Sequence, residues 1–278
     1  MKSLGVVAYV VLIALLLFSC YGYYDIAGSG IMVQRELSYK NFSDITVNMH
    51  SSVIIRPSAT HRVLLTADDN IIDLVTVYPD EGGDKLVFGL DDAFYYEKHS
   101  IQLEIEMPEF QELSFFKSYY WSWASGNEID VTIESGFAIA GLVQMFLAHG
   151  DVIIDGFTAD ELIIGAESDT LRGSITAGNL TLDAGSSDIS LTGAANLLTV
   201  KTSSEEALVD LEGLAATDAV VDLSGGEVVV NATNTISGEM TLSSDLKYKN
   251  NAGLDLSNLV NDRYDFGGDD PGNLTAIP

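Results

Sequence analysis

The chain has 278 residues, 47% of them hydrophobic, which is enough to fill one large β domain or two small ones and excludes wholesale disorder. It carries 41 acidic and 13 basic side chains, and the formal net charge of −28 excludes nucleic acid as a partner because such a surface repels phosphate. We interpret this acidity as a means of keeping the protein soluble rather than as a binding site for cations or basic partners. Cys20 is the single cysteine, so no internal disulfide is possible and packing alone must hold the fold.

The first twenty residues have the pattern of a bacterial lipoprotein signal peptide. Lys2 precedes an apolar run, residues 4–18, which is short for a membrane-spanning helix. The run ends in Leu-Phe-Ser before Cys20, which resembles a lipobox with Phe18 in place of the usual small residue. We therefore expect cleavage before Cys20, a lipid anchor on its sulfur, and a tether over 21–27. No aspartate follows Cys20 directly, so we expect export to the outer membrane or the cell surface.

The next part of the chain, residues 28–112, is predicted to consist of short strands. β-branched or alternating segments separated by Gly, Asp, Asn or Pro predict strands at 45–47, 53–55, 63–65, 86–88 and 101–105. Residues 69–75 fit either one helical turn or a strand. The cluster Asp68-Asp69-Asn70 fits a turn better than a catalytic pair, because Asp and Asn side chains bond neighbouring backbone.

Residues 113–250 contain a repeat with a period near 20 residues. Each unit has a pair of apolar residues, a turn of small residues that closes on an acid, and a second short strand. This pattern predicts an all-β parallel β-helix with coils of about 18–23 residues, in which Leu162, Leu180 and Leu198 form one inward ladder. The apolar pairs are Leu162/Ile164, Leu180/Leu182, Leu198/Val200, Val221/Leu223 and Met240/Leu242.

The acids that close the turns are expected to stack on the outside of the coils. In such a stack, equivalent carboxylates lie about 4.8 Å apart and repel unless they are solvated or bound to cations. The residues concerned are Asp151, Asp169, Asp188, Glu206, Glu227 and Asp245. The remaining residues, 251–278, are predicted to form an acidic tail rich in Gly and Asn.

The order of several short motifs resembles one known family, the GIN head domain of auto-transporter-adhesin-like proteins, many of which are lipoproteins. The matching motifs are Gly28-Ser29-Gly30, Arg35-Glu36-Leu37, Phe42-Ser43-Asp44-Ile45, Val53-Ile54-Ile55, Ala67-Asp68-Asp69-Asn70-Ile71 and the later small-residue turns that end in an acid. The resemblance covers residues 28–248 and implies a right-handed β-helix. It supplies no catalytic residue, and the adhesin label rests on structural analogy.

One segment departs from the repeat and is the best candidate for binding. Residues 115–123 replace the expected small-residue turn with bulky side chains, including both tryptophans of the chain. We expect Tyr119, Tyr120, Trp121 and Trp123 to contribute to a ligand-binding surface, since exposed aromatic rings stack on sugars and supply rigid contact area. The alternative is that part of the segment, such as Phe115, Trp121 and Trp123, belongs to the core.

Motifs for catalysis, metals or cofactors are absent from the sequence. The four histidines, His50, His61, His99 and His149, have no metal-ligand spacing and are expected to be solvated, so neither a metal nor a cofactor is predicted. The sequence therefore favours a non-enzymatic, lipid-anchored surface protein that binds a glycan or protein partner. A β-helix carbohydrate-active enzyme, lyase or hydrolase, and a structural envelope protein without a dedicated ligand remain the alternatives.

Overall fold

The computed structural model describes residues 24–91, 94–116, 129–240, 243–261 and 273–277. Within these ranges the chain is almost entirely β, with one turn of 3₁₀ helix at Ile72–Leu74. The strands are β1 (Tyr24–Ala27), β2 (Met32–Leu37), β3 (Asp44–Asn48), β4 (Ser52–Pro57), β5 (Arg62–Asp68), β6 (Val75–Pro79), β7 (Lys85–Leu90), β8 (Phe94–Glu97), β9 (Ile101–Met107), β10 (Glu112–Phe115), β11 (Ile129–Ile133), β12 (Ala138–Ala148), β13 (Gly150–Glu167), β14 (Thr170–Ala184), β15 (Asp188–Thr202), β16 (Leu208–Leu223), β17 (Gly226–Met240), β18 (Ser244–Lys249), β19 (Leu259–Asn261) and β20 (Asn273–Ile277).

The repeat region forms the predicted parallel β-helix. From β13 to β17 each coil runs almost continuously as strand, and successive coils pair in parallel along most of their length. Leu162 pairs with Leu180 and Leu180 with Leu198, and all three side chains are fully buried. Alternate residues of a strand point to opposite faces, so every second residue enters the core and the others face outward. The inward ladder predicted from the sequence is thus confirmed.

The register of the later coils differs from the sequence alignment by even numbers of residues. Leu198 pairs with Ala219 rather than Val221, and Val221 pairs with Gly238 rather than Met240, while Ala219 continues the ladder to Ile236. The coil spacing at this ladder is therefore 18, 18, 21 and 17 residues. An even shift leaves each side chain on its predicted face, which is why Val221 and Met240 are still buried.

The first coils of the solenoid are stacked in a different order from the sequence. β3 lies between β7 and β10, and β4 lies between β9 and β11. The coil 85–107 is therefore the terminal one, although the coil 44–57 precedes it along the chain. The pairing of β10 with both β3 and β12 carries the sheet across residues 112 and 113 without a break. Residues 28–112 thus contribute rungs to the same solenoid as the repeat region.

Antiparallel strands complete the end of the solenoid nearer the N-terminus. β5 pairs antiparallel with β9, β2 with β5, and β6 with β7. Within the described residues β2 pairs with β5 alone and β6 with β7 alone, so they are the terminal strands. At the opposite end, β19 pairs with β17 and β20 with β18, which places two strands of the predicted tail in the sheets.

Candidate interaction surface

The residues predicted to carry function all lie outside the described part of the chain. They are Cys20, Tyr119, Tyr120, Trp121 and Trp123, and their roles stay predictions. The structure instead describes the corner between β10 and β11, the outward-facing rows, and the contacts that fix the turns.

The aromatic segment is inserted at a corner of the solenoid. Phe115, the last residue of β10, pairs with Val47 and Leu147, and Ile129, the first of β11, pairs with Gly150. The chain has 13 residues between β10 and β11, whereas the next coil has one residue, His149, between β12 and β13. The equivalent corners of the following coils take two to five residues. The stack therefore keeps its register on both sides of residues 116–128, which we call the corner insertion.

One outward row carries the acids that follow the turns, and we call this face the acidic wall. Thr170 and Leu208 interrupt the carboxylates, so the unbroken stack of acids expected from the sequence is wrong. Asp169 and Glu206 each lie in the turn before the row, at one and two residues from its position. The paired residues of the row are, in order, Asp130, Asp151, Thr170, Asp188, Leu208, Glu227 and Asp245.

Cations and an amide from neighbouring positions reduce the repulsion within the acidic wall. Arg172 lies 3.8 Å from the Asp188 carboxylate, and Lys247 lies 2.5 Å from that of Glu227. The Asn273 side chain donates a hydrogen bond of 2.8 Å to Asp245. The carboxylates of such a row project from one face of one sheet and do not oppose each other across a cleft. This arrangement suits contact with an extended partner better than acid–base chemistry on a bond held between two carboxylates.

Asp169 is a buried carboxylate with a structural task. One of its oxygens accepts a hydrogen bond from the Gly150 amide at 2.7 Å, and the other accepts one from the Glu167 amide at 2.9 Å. Its own amide donates to the Ser187 hydroxyl in the next coil. Burial raises the pKa of Asp169 to about 6, although these hydrogen bonds act in the opposite direction. The sequence pattern identified Asp169 as the acid that ends its turn, but it did not predict that Asp169 is buried. The reason is that Asp169 lies one residue before the position that belongs to the outward row of acids.

The acidic cluster Asp68-Asp69-Asn70 lies at a turn, as expected, but its side chains bond distant rather than neighbouring backbone and hold the loop 28–31. Asp68 accepts hydrogen bonds from the amides of Gly30 and Ser100, at 2.7 and 2.8 Å. The Ser29 hydroxyl donates to Asp69, and Asn70 both accepts from the Ser29 amide and donates to the Ala27 carbonyl. A side chain at Gly28 would begin 2.4 Å from an Asp68 oxygen, which explains the glycine. We call this arrangement the N-terminal clasp.

The histidines are not uniformly solvated, contrary to expectation. His99 is buried, and its two ring nitrogens have no hydrogen-bond partner among the described residues. It packs edge-on against His50 and Tyr96, with ring centroids 5.3 and 5.8 Å away. Burial, with a smaller contribution from His50, lowers the pKa of His99. His61 is half-buried, and its Nε2 lies 2.8 Å from the Phe42 carbonyl oxygen.

The described ranges offer neither a membrane-spanning helix nor a cluster of metal ligands. No helix in these ranges is long and apolar enough to cross a membrane. The same ranges hold no group of three or more His, Cys, Asp or Glu side chains placed to bind a metal ion.

Solved structures with a similar fold come from species of Parabacteroides and Bacteroides. A putative lipid binding protein from Parabacteroides distasonis ATCC 8503 superposes with a TM-score of 0.70 at 17% identity, covering 91% of this chain and all of that one. A putative adhesin from Parabacteroides merdae ATCC 43184 gives 0.67 at 11% identity, with 92% and 100% covered. A putative adhesin from Bacteroides fragilis NCTC 9343 gives 0.60 at 15% identity, with 90% and 97% covered. At these identities the likeness shows the fold alone.

Sequence comparison identifies the family. No curated protein sequence shows significant similarity to the chain. The family described as "Putative auto-transporter adhesin, head GIN domain" matches residues 41–252, a range that includes both the early, reordered coils and the regular repeat. The chain therefore belongs to the GIN head-domain family of auto-transporter-adhesin-like proteins.

Proposed function

We propose that the protein is a non-enzymatic, lipid-anchored protein of the cell envelope whose β-helical head binds a glycan or protein partner at the cell surface. The observation that carries the proposal is the corner insertion. Thirteen residues enter and leave the stack there without disturbing the pairing of Phe115 or Ile129. A scaffold that is rigid on both sides of an insertion rich in tyrosine and tryptophan suits a binding surface, because little ordering entropy is lost by the scaffold on association.

The contacts of the carboxylates favour a binder over a carbohydrate-active enzyme. In the described residues the carboxylates closest to basic groups are engaged in ion pairs that tie neighbouring strands together. Arg56, for example, bridges Glu104 and Glu134 at 2.6 and 2.8 Å, and the hydrogen bonds that its guanidinium donates to both acids raise the pKa of Arg56. Asp169 is occupied by turn amides. A structural protein without a ligand would need no insertion at a corner, which separates the structural alternative from the proposal.

The anchor is tested by metabolic labelling of the full chain with palmitate. The native chain is expected to take up label and to fractionate with membranes, whereas Cys20→Ser is expected to do neither. The matched control is Val6→Ile, a conservative change outside the lipobox that preserves the apolar run and should label like the native chain. Label in the Cys20→Ser protein contradicts the lipobox assignment.

The binding surface is tested by glycan-array and cell-attachment assays on the full lipidated chain. The double variant Tyr119→Ala/Tyr120→Ala is expected to keep the melting temperature within a few degrees and to lose attachment. Leu197→Ala is the matched control, because Leu197 is an outward-facing apolar residue that lies outside both the acidic wall and the corner insertion. Attachment by the double variant equal to that of the native chain assigns the contact surface elsewhere, and unfolding of the double variant assigns the two rings to the core.

A further inference from the structure

The N-terminal end of the solenoid exposes a short run of apolar side chains. Ile31, Met32 and Val33 are consecutive and are 62%, 46% and 36% exposed. They lie at the start of β2, the terminal strand of its sheet within the described residues. On β6, which ends the neighbouring sheet, Tyr78 is 53% exposed. Contiguous exposed apolar residues carry a cost in water, and they mark contact with a membrane or a partner.

These side chains are held in place rather than left on a loose terminus. The N-terminal clasp fixes the chain just before them: the Ile31 amide donates to the Ser29 hydroxyl at 3.0 Å, and the Asp69 amide donates to the Ile31 carbonyl at 2.8 Å. β2 then pairs with β5 along its whole length, from Met32 to Leu37. The apolar run is therefore a rigid part of the end of the solenoid.

The chain enters the solenoid at the same end. β1 begins at Tyr24, and the four residue steps from Cys20 to Tyr24 span at most about 14 Å. The N-terminal clasp joins β1 to the region of β2, since Asn70 bonds the Ala27 carbonyl and the Ser29 amide. A lipid on Cys20 thus brings a bilayer within reach of this end of the solenoid.

The distribution of charge matches this orientation. The acids of β2 and of the 3₁₀ turn have cationic partners: Asp73 lies 2.5 Å from Arg35, and Glu36 lies 3.2 Å from Arg62. In the coils that extend away from this end, from β11 to β17, Arg172 and Lys201 are the only arginine and lysine. Anionic lipid headgroups repel that acidic part and repel this end less.

We propose that Ile31, Met32, Val33 and Tyr78 form a seat that rests on the headgroup region of the bilayer in which the lipid on Cys20 is embedded. Aliphatic side chains enter the boundary between headgroups and acyl chains, and tyrosine is favoured at that depth. The seat sets the solenoid upright, with the acidic coils directed away from the membrane. This inference rests on the lipid anchor of the proposed function and adds the orientation of the head.

The test places an environment-sensitive fluorophore at the seat of the full lipidated chain in phosphatidylcholine vesicles. Met32→Cys and, separately, Tyr78→Cys each introduce a thiol, and Cys20 does not compete because its sulfur carries the lipid. Leu208→Cys, on the acidic wall and 52% exposed, is the matched control. We expect labels at Met32 and Tyr78 to be blue-shifted and quenched by spin-labelled lipid, and the label at Leu208 to behave as in water.

Three other outcomes overturn the inference, and each has a different meaning. If the chain is lipidated but its labels at Met32 and Tyr78 are as exposed as the label at Leu208, the proposed seat is wrong and the lipid anchor on Cys20 is retained. Labels that are protected in detergent at high protein concentration, with cross-linked dimers, assign the surface to a second copy of the chain. A chain that takes up no palmitate at Cys20 overturns the anchor and the seat together.

Discussion

The adjacent residues Leu197 and Leu198 provide a direct test of the inward ladder. Leu198 is fully buried between Leu180 and Ala219, whereas Leu197 faces outward and is 37% exposed. Leu198→Ala removes core contacts and leaves a cavity, which costs about 3 kcal/mol for buried leucines in general. Leu197→Ala loses partly buried area that water refills, at about 1 kcal/mol or less. The expected difference of about 2 kcal/mol corresponds to roughly a 30-fold change in the unfolding equilibrium.

The assay is urea unfolding of both variants and the native chain, followed by far-ultraviolet circular dichroism. Stacked repeats do not always unfold in one step, so hydrogen exchange of the amides in β14, β15 and β16 supplies a local measure. Leu198→Ala is expected to accelerate exchange in all three strands, and Leu197→Ala in none of them. Equal losses for the two variants refute the assignment of the inward face.

The remaining predictions concern the turns and the buried titratable groups. Gly193→Ala should destabilise the folded chain by several kcal/mol, on the general scale for strained or clashing sites. The reason is that φ of Gly193 is +119° and the new Cβ would lie 1.9 Å from the carbonyl oxygen of Ile175 in the preceding coil. The control is Gly82→Ala, which has an ordinary φ and no atom closer than 3.7 Å to the new Cβ, and which should melt like the native chain. His99→Phe should reduce the loss of stability as the pH falls below 6.5: the lowered pKa of His99 means that the unfolded chain binds its proton first, and thermal melts between pH 5 and 7.5 measure this. Asp169→Asn should reduce the loss of stability that the native chain shows as the pH rises, in melts between pH 4 and 7. Its raised pKa of about 6 makes the native chain lose stability as the pH rises from 3.8 through 6, and a variant that keeps this slope contradicts the assignment. Asp68→Ala should leave the Gly30 and Ser100 amides without their acceptor, cost about 1–3 kcal/mol, and speed hydrogen exchange at the N-terminal clasp.

The sequence predicted the alternation of inward and outward residues better than it predicted which coils touch. The apolar pairs identified the inward face, but their alignment was shifted at Val221 and Met240, because small residues such as Ala219 also occupy inward positions. Apolar periodicity carries no signal for an alanine in a ladder. The stacking order of the first coils could not be predicted from the sequence for a different reason. Strands at 45–47 and 86–88 were predicted, but their pairing depends on contacts between residues far apart in the chain.

Only the local part of the acidic cluster was predictable. Asp68-Asp69-Asn70 lies at a turn, as expected, but the bonds of the N-terminal clasp join residues 32 to 43 positions apart, which a local motif does not indicate. Burial of His99 was missed, because a single histidine beside Lys98 and Ser100 gives no pattern that separates a buried ring from a solvated one. Burial of Asp169 was missed because it depends on a shift of one residue relative to the outward row of acids. Both signals become visible only when the coils are stacked.

The reordered first coils have a mechanical consequence for a chain pulled from its N-terminus, as the proposed lipid on Cys20 would pull it. A regular solenoid under tension can unravel from its end, one coil after another. Here β3 and β4 form the first coil along the chain, yet they are enclosed between β7 and β9 on one side and β10 and β11 on the other. Force that arrives through β1 and β2 cannot peel it away before its bonds to both neighbours break together. Because of this stacking order, a pulling force is distributed over three coils at once.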